Sequence, residues 1–144
     1  MLTMTSPGIF ALVLLFAGSA PAADLKINIS GFRNQTGQGI VYLWKAAGGF
    51  PKETEKSMAN KTSPIAAGGL ISVMFEGLAA GTYGITVVHD ENSNGKMDTG
   101  FLGKPKEGYG ASNNPKNKIT PPSFDQAKFA LDDAGKMIEI GMRY

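Results

Sequence analysis

The stretch ISVMFEGLAAGTYGITVVH, residues 71–89, decides the fold. Apolar side chains alternate with Ser, Met and Glu over residues 71–76, which is the period of a strand with one buried face. Residues 78–81 have the composition of a turn, and residues 82–89 run back as a second strand rich in β-branched side chains. The stretch therefore predicts two β-strands joined by a short turn.

Four segments outside this stretch also have strand patterns. Residues 25–29 and 138–144 alternate apolar and polar side chains, and residues 127–131 do so more briefly. Residues 40–44 are apolar on both faces, so we expect a central strand that ends on a core or rim aromatic, Trp44. With no long helix pattern in between, the segments predict an all-β protein, an antiparallel Greek-key β-sandwich of six to seven strands.

Two segments lack such patterns. Residues 46–69 are punctuated by Gly and Pro and predict a surface excursion, with at most a helical turn or two over residues 54–60. Residues 91–124 form one long loop, and a strandless segment well past about 15 residues is usually a binding loop or disordered. Its spread of apolar side chains favours a binding loop pinned to the sandwich. These side chains are Phe101, Leu102, Tyr109, Ile119 and Phe124.

The composition limits the chemistry that the protein can perform. The sequence contains no cysteine and one histidine, which excludes disulfides, thiolate-bound zinc, iron–sulfur clusters and thiol nucleophiles. The net charge of +2 is too small to predict nucleic-acid binding. Lysines are concentrated between residues 96 and 118, which leaves open a solvated loop or an attraction to anionic glycan or lipid headgroups.

The N-terminus resembles a secretory signal peptide. The first charged side chain is Asp24, the apolar run over residues 9–17 is too short to span a bilayer, and residues 20–22 offer an A-x-A cleavage site. We therefore predict a signal peptide at 1–22, a single β-sandwich domain at 23–144, no transmembrane span after cleavage and a periplasmic or secreted location. No Lys or Arg precedes the apolar run, so an uncleaved anchor is the alternative.

The sequence HDENSNGKMD, residues 89–98, has the ligand spacing of an EF-hand loop. The predicted calcium ligands are the side chains of Asp90, Asn92, Asn94 and Asp98 and the backbone carbonyl of Lys96, with Gly95 at the tightest bend. Phe101 stands where the bidentate Glu of a high-affinity loop would be, and Glu107 is the nearest substitute. We expect a dissociation constant on the order of 10⁻⁴ to 10⁻³ M. A metal-free turn held by Asx hydrogen bonds is the alternative.

Two resemblances to known families add to these expectations. Phe75, Leu78, Gly81 and Tyr83 form the F-x-x-L-x-x-G-x-Y connection of transthyretin-like and collagen-adhesin-B-like sandwiches, which implies an immunoglobulin-like or transthyretin-like fold with the leucine plugging one end. The motifs over residues 89–98, 103–113 and 122–129 resemble the signature of a bacterial secreted family, domain of unknown function 2141. That family implies an exported single-domain β-sandwich without an assigned biochemical role.

Two of these motifs share the long loop, so we expect residues 105–113 to fold back beside the turn. A ligand surface would then comprise His89, Tyr109, Ser112 and Asn113. The glycines around Tyr109 would let its ring lie flat or would serve the backbone conformation. His89 lies at the core-facing end of its strand, where a hydrogen-bonded structural role is commoner than catalysis.

The sequence predicts an exported, non-enzymatic module with a calcium-stabilised loop, which binds an envelope protein or a glycan. One alternative is an enzyme that uses His89, Glu107 and Tyr109 within one pocket at the mouth of the loop. The other is a purely structural envelope protein without metal.

Overall fold

The structure is a computed structural model that describes residues 21–144 and three isolated earlier positions, Val13, Leu15 and Gly18. The predicted signal peptide falls almost wholly outside these residues and stays a prediction. The strands are β1 (Ala22–Ser30), β2 (Gln38–Trp44), β3 (Ala59–Pro64), β4 (Ile71–Ala79), β5 (Gly81–Asp90), β6 (Tyr109–Ala111), β7 (Phe129–Leu131) and β8 (Lys136–Gly141). The helical elements are α1 (Phe124–Ala127) and 3₁₀ turns at Thr54–Lys56 and Phe101–Gly103.

The strands form two sheets, which confirms the all-β sandwich. The smaller sheet has the order β4-β1-β8, and the larger has the order β3-β2-β5-β6, with β7 also paired to β5. β6 pairs with residues 86–88 of β5 and β7 with residues 81–83, so the two short strands share one edge. The β1–β8 pair is parallel, whereas the other pairs are antiparallel. Period-2 alternation carries no information on strand direction, so the sequence did not predict the parallel pair.

The main core lies between the sheets, and the predicted alternation in β1 and β5 supplies it. The smaller sheet contributes Leu25 and Ile27, and the larger sheet contributes Tyr83, Ile85 and Val87. All five side chains are fully buried. Burial of each large apolar side chain contributes about 1.5–3 kcal/mol. β5 is buried on both faces from Tyr83 to Asp90, so the strand that leads into the candidate site is fixed along most of its length.

A second apolar cluster covers the outer face of the larger sheet. Ile40, Tyr42, Trp44 and Val88 form it, and Phe50, Met97 and Phe124 pack against it from the connecting segments. The cluster explains why β2 is apolar on both faces, and it confirms Trp44 as a core residue. Because Met97 belongs to the 90–98 turn, the same cluster anchors that turn to the sheet.

Residues 46–69 were predicted to form an irregular surface segment. This prediction is wrong for residues 59–64, which form β3. This strand, ANKTSP, pairs antiparallel with β2 over six positions at the edge of the sheet. Most of its residues are exposed on both faces, so no apolar alternation marks it in the sequence. The predicted helical turn is reduced to the 3₁₀ turn at Thr54–Lys56.

Three further predictions for the long loop and the segment after it are wrong. β6 lies inside the segment predicted as strandless, and with three residues it is too short to show a period. Ala127, predicted in a strand, ends α1, whose capping box joins Ser123 and Gln126. Phe101, Leu102 and Ile119 are 88%, 89% and 97% exposed, so the prediction that they pin the loop is wrong.

Candidate functional site

Asp90, the last residue of β5, is the buried centre of the candidate site. Its side chain is fully buried and accepts three hydrogen bonds. The backbone N–H of Asn94 donates to Oδ1 at 3.1 Å, and Oδ2 accepts from the N–H of Gly95 at 2.8 Å and from Nε2 of Gln38 at 2.9 Å. Gly95 has a φ of +80°, which side chains with a Cβ rarely adopt. The backbone therefore curls around the Asp90 carboxylate at the predicted glycine.

The other predicted side chains of the turn meet at Asp98. Asn92 Nδ2 donates to Asp98 Oδ2 at 2.5 Å, and Asn94 Nδ2 donates to Oδ1 at 2.7 Å. The amide oxygen of Asn94 accepts the N–H of Lys96 at 3.1 Å, as in an Asx turn. A half-turn of either asparagine amide would bring its oxygen toward Asp98, but that oxygen would give up the backbone N–H it accepts, from Asn94 in the case of Asn92 and from Lys96 in the case of Asn94.

The surroundings of Asp98 favour its charged form. The hydrogen bond from Asn94 lowers the pKa of the Asp98 carboxyl, and the side chain of Asn92 and the charge of Lys96 lower it further, against a smaller opposing effect of burial. Asp98 is therefore ionised at neutral pH. The residue is partly exposed.

Glu107 folds back beside the turn and is 5% exposed. Its Oε2 accepts the backbone N–H of Glu91 at 2.5 Å, and its Oε1 accepts that of Asp98 at 2.9 Å. The adjoining backbone adds a bond from the N–H of His89 to the carbonyl of Gly108 at 2.8 Å. Glu107 thus joins both ends of the turn, and whether it also binds a cation stays a prediction.

Within residues 21–144, no basic side chain forms a salt bridge with Asp90, Asp98 or Glu107. The salt bridges found there join Arg33 and His89 to Glu91 and otherwise involve residues outside the turn. In the same part of the chain, no three Asp, Glu or His side chains stand in an arrangement that would by itself hold a metal ion. A cation in the turn would therefore need amide and backbone oxygens in addition to the carboxylates.

His89 is fully buried, and both ring nitrogens are hydrogen-bonded. Nε2 lies 2.8 Å from the carbonyl of Thr36, which can only accept, so Nε2 carries the proton. In the neutral form of the ring, Nδ1 accepts from the hydroxyl of Tyr144 at 2.7 Å, and that hydroxyl accepts the backbone N–H of Arg33 at 3.0 Å. The imidazole joins three distant segments, which is a structural role.

The four residues expected to form a ligand surface do not share one. Ser112 is 1% exposed; its Oγ accepts the N–H of Ile85 and donates to the carbonyl of Ala127. Asn113 is exposed, and its Nδ2 donates to the carbonyls beside α1, at Gln126 and Lys128. His89 and Ser112 are buried and bond to backbone groups. Neither side chain is therefore part of an exposed ligand surface.

Two clefts lie near the loop at residues 114–118. Tyr109 and Arg143 are among the residues lining the smaller cleft, which has about 10 Å³ of space, enough for one water molecule. The other is a shallow depression between the loop and β8. Neither is lined by His89 or Glu107, so the pocket required by the enzymatic alternative is not among them.

A protein family whose description reads "Uncharacterized protein conserved in bacteria (DUF2141)" matches residues 27–139. The chain belongs to this family. The match extends from β1 into β8 and includes the turn and Glu107. No curated protein and no solved structure gave a match. Within residues 21–144 of this DUF2141 protein, no helix has the length and apolar character needed to cross a bilayer.

Two glycines beside Tyr109, Gly108 and Gly110, provide space for neighbouring side chains. A Cβ on Gly108 would lie 2.3 Å from Cε1 of Tyr144, and one on Gly110 would lie 2.8 Å from Cγ2 of Ile140. Neither glycine has a positive φ. They therefore allow the C-terminal segment to pack against β6, a role that the sequence did not predict.

Several residues of the site were not predicted from the sequence of this DUF2141 chain. Gln38 and Gly37 reach the turn because β2 pairs with β5, and a Cβ on Gly37 would lie 2.1 Å from the carbonyl oxygen of Asp90. Arg33 and Tyr144 arrive from opposite ends of the domain, and the guanidinium carbon lies 4.7 Å from the centre of the tyrosine ring. The spacing of residues along the chain does not predict that either pair reaches the site. The only sequence feature that could have indicated it is Gly37, because it lies in a turn.

Proposed function

We propose that this chain is an exported, non-enzymatic β-sandwich module whose 90–98 turn binds a calcium ion and whose long loop contacts an envelope component. The observation that carries the proposal is the set of carboxylates at one turn. Asp90 and Glu107 are buried, Asp98 is kept ionised, and within residues 21–144 no basic side chain forms a salt bridge with any of them. A cation would supply the missing positive charge.

Backbone groups already stabilise part of this charge. Four N–H donors point at Asp90 and Glu107, which lowers the cost of burying both carboxylates. Asp98 receives hydrogen bonds from two asparagine amides, whose oxygens can turn toward a cation if they give up the backbone N–H groups they accept. The turn thus resembles a site whose backbone is already arranged for its ligand.

The donor atoms favour calcium over other divalent ions. The turn offers only oxygens in an irregular arrangement, whereas zinc prefers nitrogen and sulfur and magnesium demands a near-ideal octahedron. With few carboxylates, a dissociation constant on the order of 10⁻⁴ to 10⁻³ M is expected, the range of extracellular modules. At free calcium about ten times that constant, binding would stabilise the fold by about 1.4 kcal/mol.

The surroundings of the other polar side chains support a non-enzymatic role. The only histidine has both nitrogens in internal hydrogen bonds, and the Ser112 hydroxyl is buried against backbone groups. A general base must reach a substrate proton, and a fully buried imidazole has no such access.

One observation favours a second candidate, a metal-free structural turn. Both asparagine amides donate directly to Asp98, which satisfies that carboxylate without a cation. In this case the turn would be an Asx-type connection and calcium would not change its stability.

Calcium titration of the chain from residue 23 to 144 separates the two candidates. We expect heat of binding by calorimetry and a higher melting temperature at millimolar calcium, with a much smaller effect of magnesium. Asp98→Asn should abolish both effects. Asp132→Asn is the matched control, because Asp132 also accepts an N–H bond in an exposed turn but lies outside the site. Absence of heat and of a thermal shift would leave the metal-free turn.

A further inference from the structure

An exposed apolar apex follows directly after the candidate calcium turn. Residues 99–105, called here the 99–105 turn, are closed by a β-bridge between Thr99 and Pro105. Inside it, the N–H of Gly100 donates to the carbonyl of Lys104 at 2.7 Å. Phe101 and Leu102 lie at the apex with 88% and 89% of their surface exposed. Two adjacent large apolar side chains are therefore exposed on a turn that is closed by backbone hydrogen bonds.

The backbone conformation at this apex is unusual. Leu102 has a φ of +59°, a left-handed conformation that is uncommon for a bulky residue, and its side chain is exposed. The base of the turn is joined to the calcium turn by a bond from the N–H of Lys106 to the carbonyl of Asp98 at 2.9 Å. Cation binding at Asp98 would thus also fix the position of the apex.

Exposed lysines lie close to the apex in the sequence. Lys96, Lys104 and Lys106 are exposed, and none of them forms a salt bridge with another described residue. A Cβ on Gly100 would lie 3.1 Å from Cε of Lys106, so this lysine's stem lies along the turn. The nearby carboxylates of Asp98 and Glu107 are engaged in the calcium turn. The apex therefore combines apolar side chains with positive charge.

We propose that the 99–105 turn docks on a bilayer that contains anionic lipid. Phe101 and Leu102 enter the interface, and Lys104 and Lys106 contact the lipid headgroups. A stable protein partner needs a patch of about 800 Å² on each side, far more than two side chains at a narrow apex provide. A soluble anionic glycan would use the lysines but not the apolar pair. The inference rests on the proposed function, because it names the envelope component of that proposal.

Vesicle flotation tests the docking. The chain from residue 23 to 144 should float with vesicles of phosphatidylcholine and phosphatidylglycerol and only weakly with phosphatidylcholine alone. Replacing Phe101 and Leu102 by serine together should lower the partition coefficient at least about tenfold. Lys104→Gln and Lys106→Gln should each lower it about fivefold, on anionic vesicles only. Because these side chains are exposed, circular dichroism should show unchanged folding.

A matched control and three outcomes decide the proposal. Ile119→Ser removes a 97% exposed apolar side chain beside Lys118 in another loop and should leave flotation unchanged. An equal loss in this variant would mean general adsorption and would overturn the proposal, as would full flotation of the Phe101/Leu102 double variant. Release by free glycerol phosphate would instead identify a headgroup ligand without a bilayer and would also overturn it.

A calcium chelator separates this proposal from the preceding one. Flotation that persists in chelator, together with no calorimetric calcium binding, would support docking and reject the calcium site. Calcium binding without flotation would support the calcium site and reject docking.

Discussion

Replacing Glu107 by glutamine tests whether this side chain holds the two ends of the turn together. The carboxylate accepts backbone N–H bonds from Glu91 and Asp98, and hydrogen bonds to charged groups contribute about 1.5–3 kcal/mol each. Glutamine keeps one oxygen and places an NH₂ group against the other N–H, so one bond is lost and the other weakens. The net expectation is a loss of about 2–3 kcal/mol of folding free energy.

Urea unfolding followed by fluorescence is a suitable assay. Trp44 is the only tryptophan and is 1% exposed, so unfolding should change its emission strongly. Glu76→Gln, at an exposed position on β4, is the control and should change the free energy of unfolding by less than about 0.5 kcal/mol. A Glu107→Gln variant as stable as this control would refute the reasoning. Calcium titration of the same variant asks a separate question: unchanged affinity would remove Glu107 from the metal site.

Three further predictions concern the turn and the C-terminal segment. Tyr144→Phe should cost about 1–2 kcal/mol in urea unfolding, because the buried imidazole loses its donor. Burial raises the pKa of Tyr144, so the melting temperature of the natural chain should fall as pH rises through that raised value, above about 10, and less so in this variant. Gly108→Ala should cost about 1–3 kcal/mol by overpacking against the Tyr144 ring, whereas Gly48→Ala, which meets nothing within 4 Å, should be nearly neutral in the same assay. Because the hydrogen bond from Asn94 lowers the pKa of Asp98 in the folded state, this carboxylate stabilises the fold above its unfolded pKa of about 4, and that contribution is lost as pH falls through the lower folded value. Melting temperatures measured between neutral pH and pH 2 should therefore fall less steeply in Asp98→Asn than in the natural chain, and equal slopes would contradict this assignment.

The sequence was most informative where one face of a strand is buried. β1 and β5 were predictable because alternation in their sequences matches burial against the opposite sheet. β3 was not, because its main contribution is backbone pairing with β2, and its exposed polar side chains have no period. The exposure of Phe101 and Leu102 was also unpredictable, since apolar composition does not say which way a turn projects its side chains.

The candidate site contains residues that local spacing predicted and residues that distant parts of the chain supply. Asp90 and Gly95 lie five positions apart, and their spacing alone predicted a backbone curled around the carboxylate. Glu107 was included as the nearest spare carboxylate, and its two bonds to backbone N–H groups were not foreseen. Gln38 and Tyr144 reach the site through strand pairing and the C-terminal segment, which no local pattern encodes.

The central claim is that the 90–98 turn binds calcium, and amide chemical shifts recorded during a calcium titration test it most directly. The N–H groups of Asn94 and Gly95 donate to the Asp90 carboxylate, and that of Lys96 donates to the Asn94 amide oxygen, so a cation among these oxygens must change all three signals. We predict saturable shifts concentrated on these amides, with a midpoint on the order of 10⁻⁴ to 10⁻³ M calcium. Signals that stay in place through millimolar calcium would contradict the account.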